Sequence, residues 1–322
     1  MTGFTHHGGR LDQAMACYPD APLPWIDLST GINPVPWQPS GPLAIDWGAL
    51  PSLAALRELE ARAAAYFGAP AETVAAVPGS DLALRLLPQL GLPGPYRYGT
   101  PGYRTHAEAL PGAIPVSIPV PIDDAASGAG TLLLANPNNP DGRLLSPAAL
   151  DRLRGDGWLV VDEAFADCLP EASIVPALPD RTIVLRSFGK FFGLAGLRLG
   201  FVIGPPEIVA RVRALLGDWP VSSAAIALGT AAYRDAGWIA ATRIALIDQA
   251  AALDGVLQRH GLVARGACPL FRLVAGEPSL FERLARAGIL ARPFDYAPTW
   301  LRFGLPADAA ALARLDRALA GG

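Results

Sequence analysis

Apolar residues recur at two different spacings along this chain. Leu53, Leu56, Leu59, Ala63, Tyr66 and Phe67 fall at helical intervals and predict one amphipathic helix. Beyond it the apolar runs are short and unbroken, at residues 74–77, 132–135, 159–161, 182–185 and 199–203. Each ends in turn residues, and helical stretches intervene. That is the pattern of a mostly parallel sheet covered on both faces. Pro78-Gly79 stops the first run, and Ser80-Asp81 reads as a helix start with Ser80 in the capping position. From about residue 206 the pattern changes. Helices are expected over 207–216, 222–235 and 238–260. A strand at 270–274, a helix at 279–287, strands near Leu290 and over 301–303, and a helix at 308–319 follow. The first fifty residues are rich in Pro and Gly and weakly periodic, an extended arm with one short strand at 25–28. No internal repeat is apparent.

The predicted architecture is α/β. An arm (1–50) leads, a large domain with a mostly parallel sheet (51–205) follows, and connecting helices with a small α+β domain (206–322) complete the chain. At roughly 100–200 residues per domain, 322 residues suit this division. Lys plus Arg is 26 and Asp plus Glu is 29, so the net charge is −3 and no electrostatic footprint for nucleic acid is present. Charged residues are only 17% and hydrophobic ones 51%, which excludes a disordered chain. Cys17, Cys168 and Cys268 form no CxxC pair, so neither a zinc site nor a disulfide framework is indicated, and they read as small buried apolar residues. The N-terminal residues lack the apolar segment of a signal peptide. No uninterrupted apolar run reaches the roughly 18–20 residues of a membrane helix. The expectation is a cytoplasmic protein with no membrane contact.

Polar residues collect where the predicted strands end: Gly79-Ser80-Asp81, the turn 136–142, Asp162-Glu163 and Ser187 to Lys190. Ligands of open parallel sheets bind outside the carboxyl ends of the strands. Any one of these groups is ordinary turn chemistry, but four at successive strand ends mark a site. Lys190 is the chain's one lysine, set among Phe191, Phe192 and Leu194 just after a strand. A desolvated lysine amine loses proton affinity and becomes nucleophilic, and arginine cannot form a Schiff base in its place.

Ser187-Phe-Gly-Lys190, with Arg198 eight residues on, resembles the cofactor-lysine segment of fold-type I pyridoxal-phosphate enzymes. Asn136-Pro-Asn-Asn-Pro-Asp-Gly142, Asp162-Glu-Ala, Gly79-Ser-Asp81 and Pro101-Gly-Tyr103 resemble that family's other motifs in the same order. The resemblance implies pyridoxal 5'-phosphate as cofactor, with Lys190 its covalent anchor and Asp162 on its ring nitrogen. It also implies Asn139 on the ring hydroxyl and Tyr103 stacked on the ring. The Gly79-Ser80-Asp81 turn would hold the phosphate together with Ser187 and Arg198. Phe165 and Leu50 stand where many relatives have tyrosine, so neither can supply the bond to the ring hydroxyl or the contact to a neighbouring subunit's phosphate that the resemblance would otherwise imply.

His7-Gly-Gly-Arg10 followed by 28–34 (Leu-Ser-Thr-Gly-Ile-Asn-Pro) is similar to threonine-phosphate decarboxylases of cobalamin biosynthesis, relatives of histidinol-phosphate aminotransferases. This implies a phosphorylated amino acid as substrate, and the Pro-rich arm with the many apolar residues outside the sheet predicts a two-fold homodimer. Arg302 would take the α-carboxylate, and Arg292 with His7 the phosphate, near Asn33. His106 and His260 carry no such context and read as structural or exposed. An aminotransferase of the histidinol-phosphate type shares every cofactor residue and is the main alternative. A non-catalytic regulator of this fold fits less well, because the chain leaves no room for an added DNA-binding domain. A Rossmann dehydrogenase is disfavoured because no GxGxxG follows a first strand, and a P-loop motif is absent.

Overall fold

The computed structural model describes residues 3–5, 7–118 and 129–321. The strands, in chain order, are β1 (Ile26–Asp27), β2 (Val74–Val77), β3 (Tyr96–Thr100), β4 (Ile114–Ser117), β5 (Thr131–Ala135), β6 (Trp158–Asp162), β7 (Thr182–Ser187), β8 (Gly200–Ile203), β9 (Phe271–Ala275), β10 (Ile289–Leu290), β11 (Arg292–Pro293) and β12 (Trp300–Gly304). The α-helices are α1 (Leu11–Cys17), α2 (Leu53–Phe67), α3 (Ser80–Leu86), α4 (His106–Ala109), α5 (Pro147–Arg154), α6 (Phe188–Phe191), α7 (Pro206–Leu216), α8 (Ser223–Arg234), α9 (Ala236–Arg259), α10 (Leu280–Arg286) and α11 (Ala309–Ala320).

The chain divides into two compact units. One holds residues 1–35, 140–143 and 241–322; the other holds 36–139 and 144–240. The arm's first part therefore groups with the C-terminal residues. The helices of 206–240, which the change of pattern placed with the C-terminal portion, group with the large sheet.

That sheet has seven strands in the order β2-β8-β7-β6-β5-β3-β4. All its neighbours are parallel except β8, which runs antiparallel to both β2 and β7. Strands β2, β5 and β8 are buried at every residue, as expected of strands covered on both sides. Helices α3 and α7 bury Leu84, Val209 and Val212 with Val77, Val160, Leu185 and Val202 of the sheet. Helix α2 begins at a Ser52 cap whose side chain accepts from Ala55 N, and ends at Gly68 in the left-handed region, φ 75°. Leu53, expected on its apolar face, is 61% exposed.

Edge strand β2 is capped by side chains. Buried Glu60 of α2 accepts the Ala76 N–H at 3.0 Å. Arg213 of α7 donates to Val74 O at 2.8 Å and to Glu60 at 2.9 Å.

In the other unit, β11, β12 and β9 form an antiparallel sheet in that order. β1 pairs in parallel with β10. The arm is not purely extended, since α1 lies within it, and Cys17 at its end is exposed while Cys168 and Cys268 are buried. No helix among the described residues is long and apolar enough to cross a membrane.

Candidate active site

The sheet unit carries nine of the predicted site residues at strand ends. Gly79 follows β2 with φ 89°, and a side chain there would bring its Cβ within 2.8 Å of the Arg198 guanidinium. Glycine is thus required twice, by the backbone and by the close approach. Gly79 is also the residue that precedes the first turn of α3, so Ser80 is the first helical residue and not the cap. Arg198 is exposed and itself left-handed, φ 55°, donating to Ala195 O at 3.2 Å.

Half-buried Asp81 accepts from the Tyr103 hydroxyl at 3.2 Å and from Thr105 Oγ1 at 3.4 Å, and pairs with Arg85 at 3.3 Å. Burial pushes the Tyr103 phenol up to about 12, so it stays a neutral donor at ordinary pH. Tyr103 meets His106 edge to face, centroids 5.7 Å apart.

His106 was placed by the sequence among structural or exposed residues. The structure buries it completely against Asp162, with Nε2 3.1 Å from Oδ2. A carboxylate oxygen can only accept, so a hydrogen bond here requires a proton on Nε2. Its buried Nδ1 has no hydrogen-bond partner among the described residues. Asp162 Oδ1 accepts from Ala164 N at 3.1 Å. The last residue of β6 is therefore a buried carboxylate aimed by two donors. The signal available was the spacing Tyr103-x-x-His106, which returns to the same side after one turn.

Lys190 lies on α6, a single turn whose Phe188 and Phe191 are fully buried. Phe188 stacks on Phe192 at 4.4 Å, and Phe192 on Trp238 at 5.6 Å, which anchors the segment. Lys190 is half-buried, with Nζ 5.7 Å from the centroid of the Phe165 ring. Ser187 at the end of β7 and Asn139 in the turn after β5 are also half-buried. Within that turn Asn136 is locked by Leu145 and Ala172, and Asn138 donates to Pro101 O at 2.9 Å. Arg198, Gly79, Asp81, Tyr103, His106 and Asp162 form one linked series.

The remaining four predicted residues lie in the other unit. Arg292 of β11 and Arg302 of β12 are direct cross-strand partners, and both are buried. Like charges opposed across a strand pair repel. Burial first, and Arg292 second, lower the affinity of Arg302 for its proton to about 10. Arg302 donates to Ser29 O at 2.9 Å and lies over Phe271, 5.0 Å from the ring centroid. Arg292 donates to Phe4 O at 2.9 Å. The pair of glycines after half-buried His7 has a packing reason. Gly9 N–H donates to Ser29 Oγ at 2.8 Å, and a Cβ on Gly8 would stand 2.3 Å from Ser29 O. Asn33 is buried, and its side-chain oxygen accepts from Val35 N at 2.9 Å, closing a turn.

The sheet-unit residues fit pyridoxal 5'-phosphate. They offer a lone amine, a buried carboxylate for a protonated ring nitrogen, and a backbone cradle at Gly79 that a Cβ would fill, faced by a guanidinium. Among the described residues no cluster is suited to a metal ion.

The chain is similar to known proteins along nearly its whole length. The chain is 42% identical to a threonine-phosphate decarboxylase of Pseudomonas aeruginosa over 98% of this chain and 97% of the relative. It is 39% identical, with the same coverage, to a threonine-phosphate decarboxylase of a Sinorhizobium species. Its fold matches that of a histidinol-phosphate aminotransferase from Sinorhizobium meliloti solved with pyridoxal-5'-phosphate. That match has a TM-score of 0.69 and 22% identity, over 82% of this chain and 80% of that one. The model of the family "Aminotransferase class I and II" matches residues 47–319. The chain belongs to the class I and II aminotransferase family.

Proposed function

We propose that this protein is a pyridoxal-phosphate-dependent decarboxylase of L-threonine O-3-phosphate. It releases CO2 and (R)-1-amino-2-propanol O-2-phosphate, a step of cobalamin biosynthesis. The observation that carries this reading is the similarity to threonine-phosphate decarboxylases over 98% of this chain and 97% of each relative. Bound cofactor supplies an electron sink for the pair left on the α-carbon when CO2 departs.

The chain's own residues would do the rest. Lys190 would anchor the cofactor through its amine. Asp162, aimed by His106 and Ala164, keeps the ring nitrogen protonated. Gly79, Ser80, Asp81, Ser187 and Arg198 hold the cofactor phosphate, with Asn139 and Tyr103 on the ring. Arg302 takes the substrate carboxylate, and Arg292 with His7 the substrate phosphate, near Asn33. Binding the remote phosphate can be used to hold the carboxylate bond in its reactive orientation, which raises turnover as well as affinity.

The deciding assay incubates purified protein and cofactor with L-threonine O-3-phosphate. Expected are CO2 and the amine phosphate in equal amounts, with no consumption of 2-oxoglutarate. Transamination of histidinol phosphate without CO2 release would replace this reading with the aminotransferase one.

The finer reading is a cytoplasmic homodimer. Thiols outside any disulfide at Cys17 and Cys268 suit a reducing compartment. Trp47, Leu50 and Leu53 are 78%, 67% and 61% exposed, an apolar stretch that a second copy would cover. Light scattering at micromolar concentration should give twice the chain mass, and a monomer would refute the dimer.

A further inference from the structure

Behind Asp162 and Ser187 lies a set of buried charges that the reaction described above does not use. Glu163, the residue after β6, is 1% exposed; Arg186 of β7 is 3% and Asp167 is 2%. Arg186 Nη1 donates to Glu163 Oε2 at 2.8 Å, and its Nη2 to Asp167 Oδ1. Ser173 Oγ donates to Glu163 Oε2 at 2.6 Å, and Ile174 N to Oε1 at 2.8 Å. The guanidinium also lies over Phe67, 4.6 Å from the ring centroid.

Two carboxylates and one guanidinium out of water are costly. A well-packed apolar replacement of a buried ion pair is often as stable or more so. Stability alone therefore does not explain the cluster; its position does. Strands β6 and β7 are parallel neighbours with Asp162 opposite Leu185, and Glu163 N donates to Leu185 O at 2.9 Å. Side chains alternate across a sheet. Glu163 and Arg186 thus join the two strand ends on one face. Asp162 and Ser187, each one residue away, project from the other, and Lys190 follows Ser187 after less than a turn.

We propose that Arg186, held by Glu163 and Asp167, is a positioning residue. It fixes the ends of β6 and β7 in register, so that Asp162 and the Ser187–Lys190 segment meet the cofactor in one geometry. The proposal rests on the reading of Asp162, Ser187 and Lys190 as cofactor residues.

The test uses the full-length holoenzyme and Arg186→Lys. Lysine keeps the charge but lacks the fork that reaches two separate carboxylates. The folded, cofactor-loaded variant should show kcat on L-threonine O-3-phosphate lowered about 10- to 100-fold by misplacement of the reacting groups, with KM unchanged. The pH titration of the bound cofactor's absorbance should shift as well. Ser173→Ala, which removes one donor to Glu163 and leaves the ion pairs, should shift the same titration in the same direction by less. It decides the matter if Arg186→Lys does not fold. A lowered melting temperature with wild-type kcat and titration in the folded variants would show a merely structural cluster and overturn the proposal. A wild-type protein that binds no cofactor would instead sink the underlying reading.

Discussion

Replacing Lys190 with alanine is expected to abolish CO2 release, lowering turnover by about 10^4-fold or more through loss of the covalent anchor assigned to it. This is the chain's only lysine, so no neighbouring amine can substitute. The effect should separate cleanly from folding. α6 is held by Phe188, Phe191, Phe192 and Trp238, none of which depends on the amine. The variant should keep its melting temperature without cofactor. Borohydride treatment of wild-type holoenzyme should place the label on the Lys190 peptide alone. Label on another residue, or an alanine variant that still turns over, would remove Lys190 from its role.

The second large effect concerns the opposed arginines. Arg292→Ala should lower kcat/KM for threonine phosphate roughly 10- to 100-fold, the range for one lost charge-assisted hydrogen bond. Free threonine should be affected far less, since it lacks the group that Arg292 is assigned to hold. His7→Ala should act in the same sense. Arg302→Lys should impair both substrates, because a point charge does not reproduce a two-donor fork on a carboxylate. Inorganic phosphate should raise the melting temperature of wild type more than that of the variant. Equal losses on threonine and threonine phosphate would break the assignment of Arg292 to the phosphate.

The residues that made the sheet legible are those whose burial is uniform. β2, β5, β6, β7 and β8 read as apolar runs because both faces are covered. β3 and β4 did not: Tyr96–Thr100 is only half-buried over most of its length, and Ile114–Ser117 is largely exposed. Exposure of one or both faces, and not edge position, removes the signal that burial writes into composition, since the edge strand β2 is buried throughout. The cofactor motifs were legible because turn chemistry and site chemistry share short segments. His106 was not, because a lone histidine announces nothing until the fold brings Asp162, 56 residues away, to it. Arg186 and Glu163 were hidden for a related reason. Each reads as the polar end of a strand, and their pairing depends on the register of β6 and β7. The grouping of residues 1–35 with 241–322 arises from long-range pairing such as β1 with β10, which local pattern does not encode.

The capping of β2 bears on how this chain behaves when crowded. The outward N–H of Ala76 and C=O of Val74 are already engaged, by Glu60 and Arg213. An extended segment from another molecule arriving at that edge would meet two long charged side chains in place of open backbone groups, and would have to break half-buried ion pairs to dock. Sheet-to-sheet polymerisation is therefore blocked at this edge by side chains that belong to helices and not to the strand itself. Loss of Glu60 would show first as fibrous aggregation at high concentration, before any loss of catalytic function in the protein that remains dispersed.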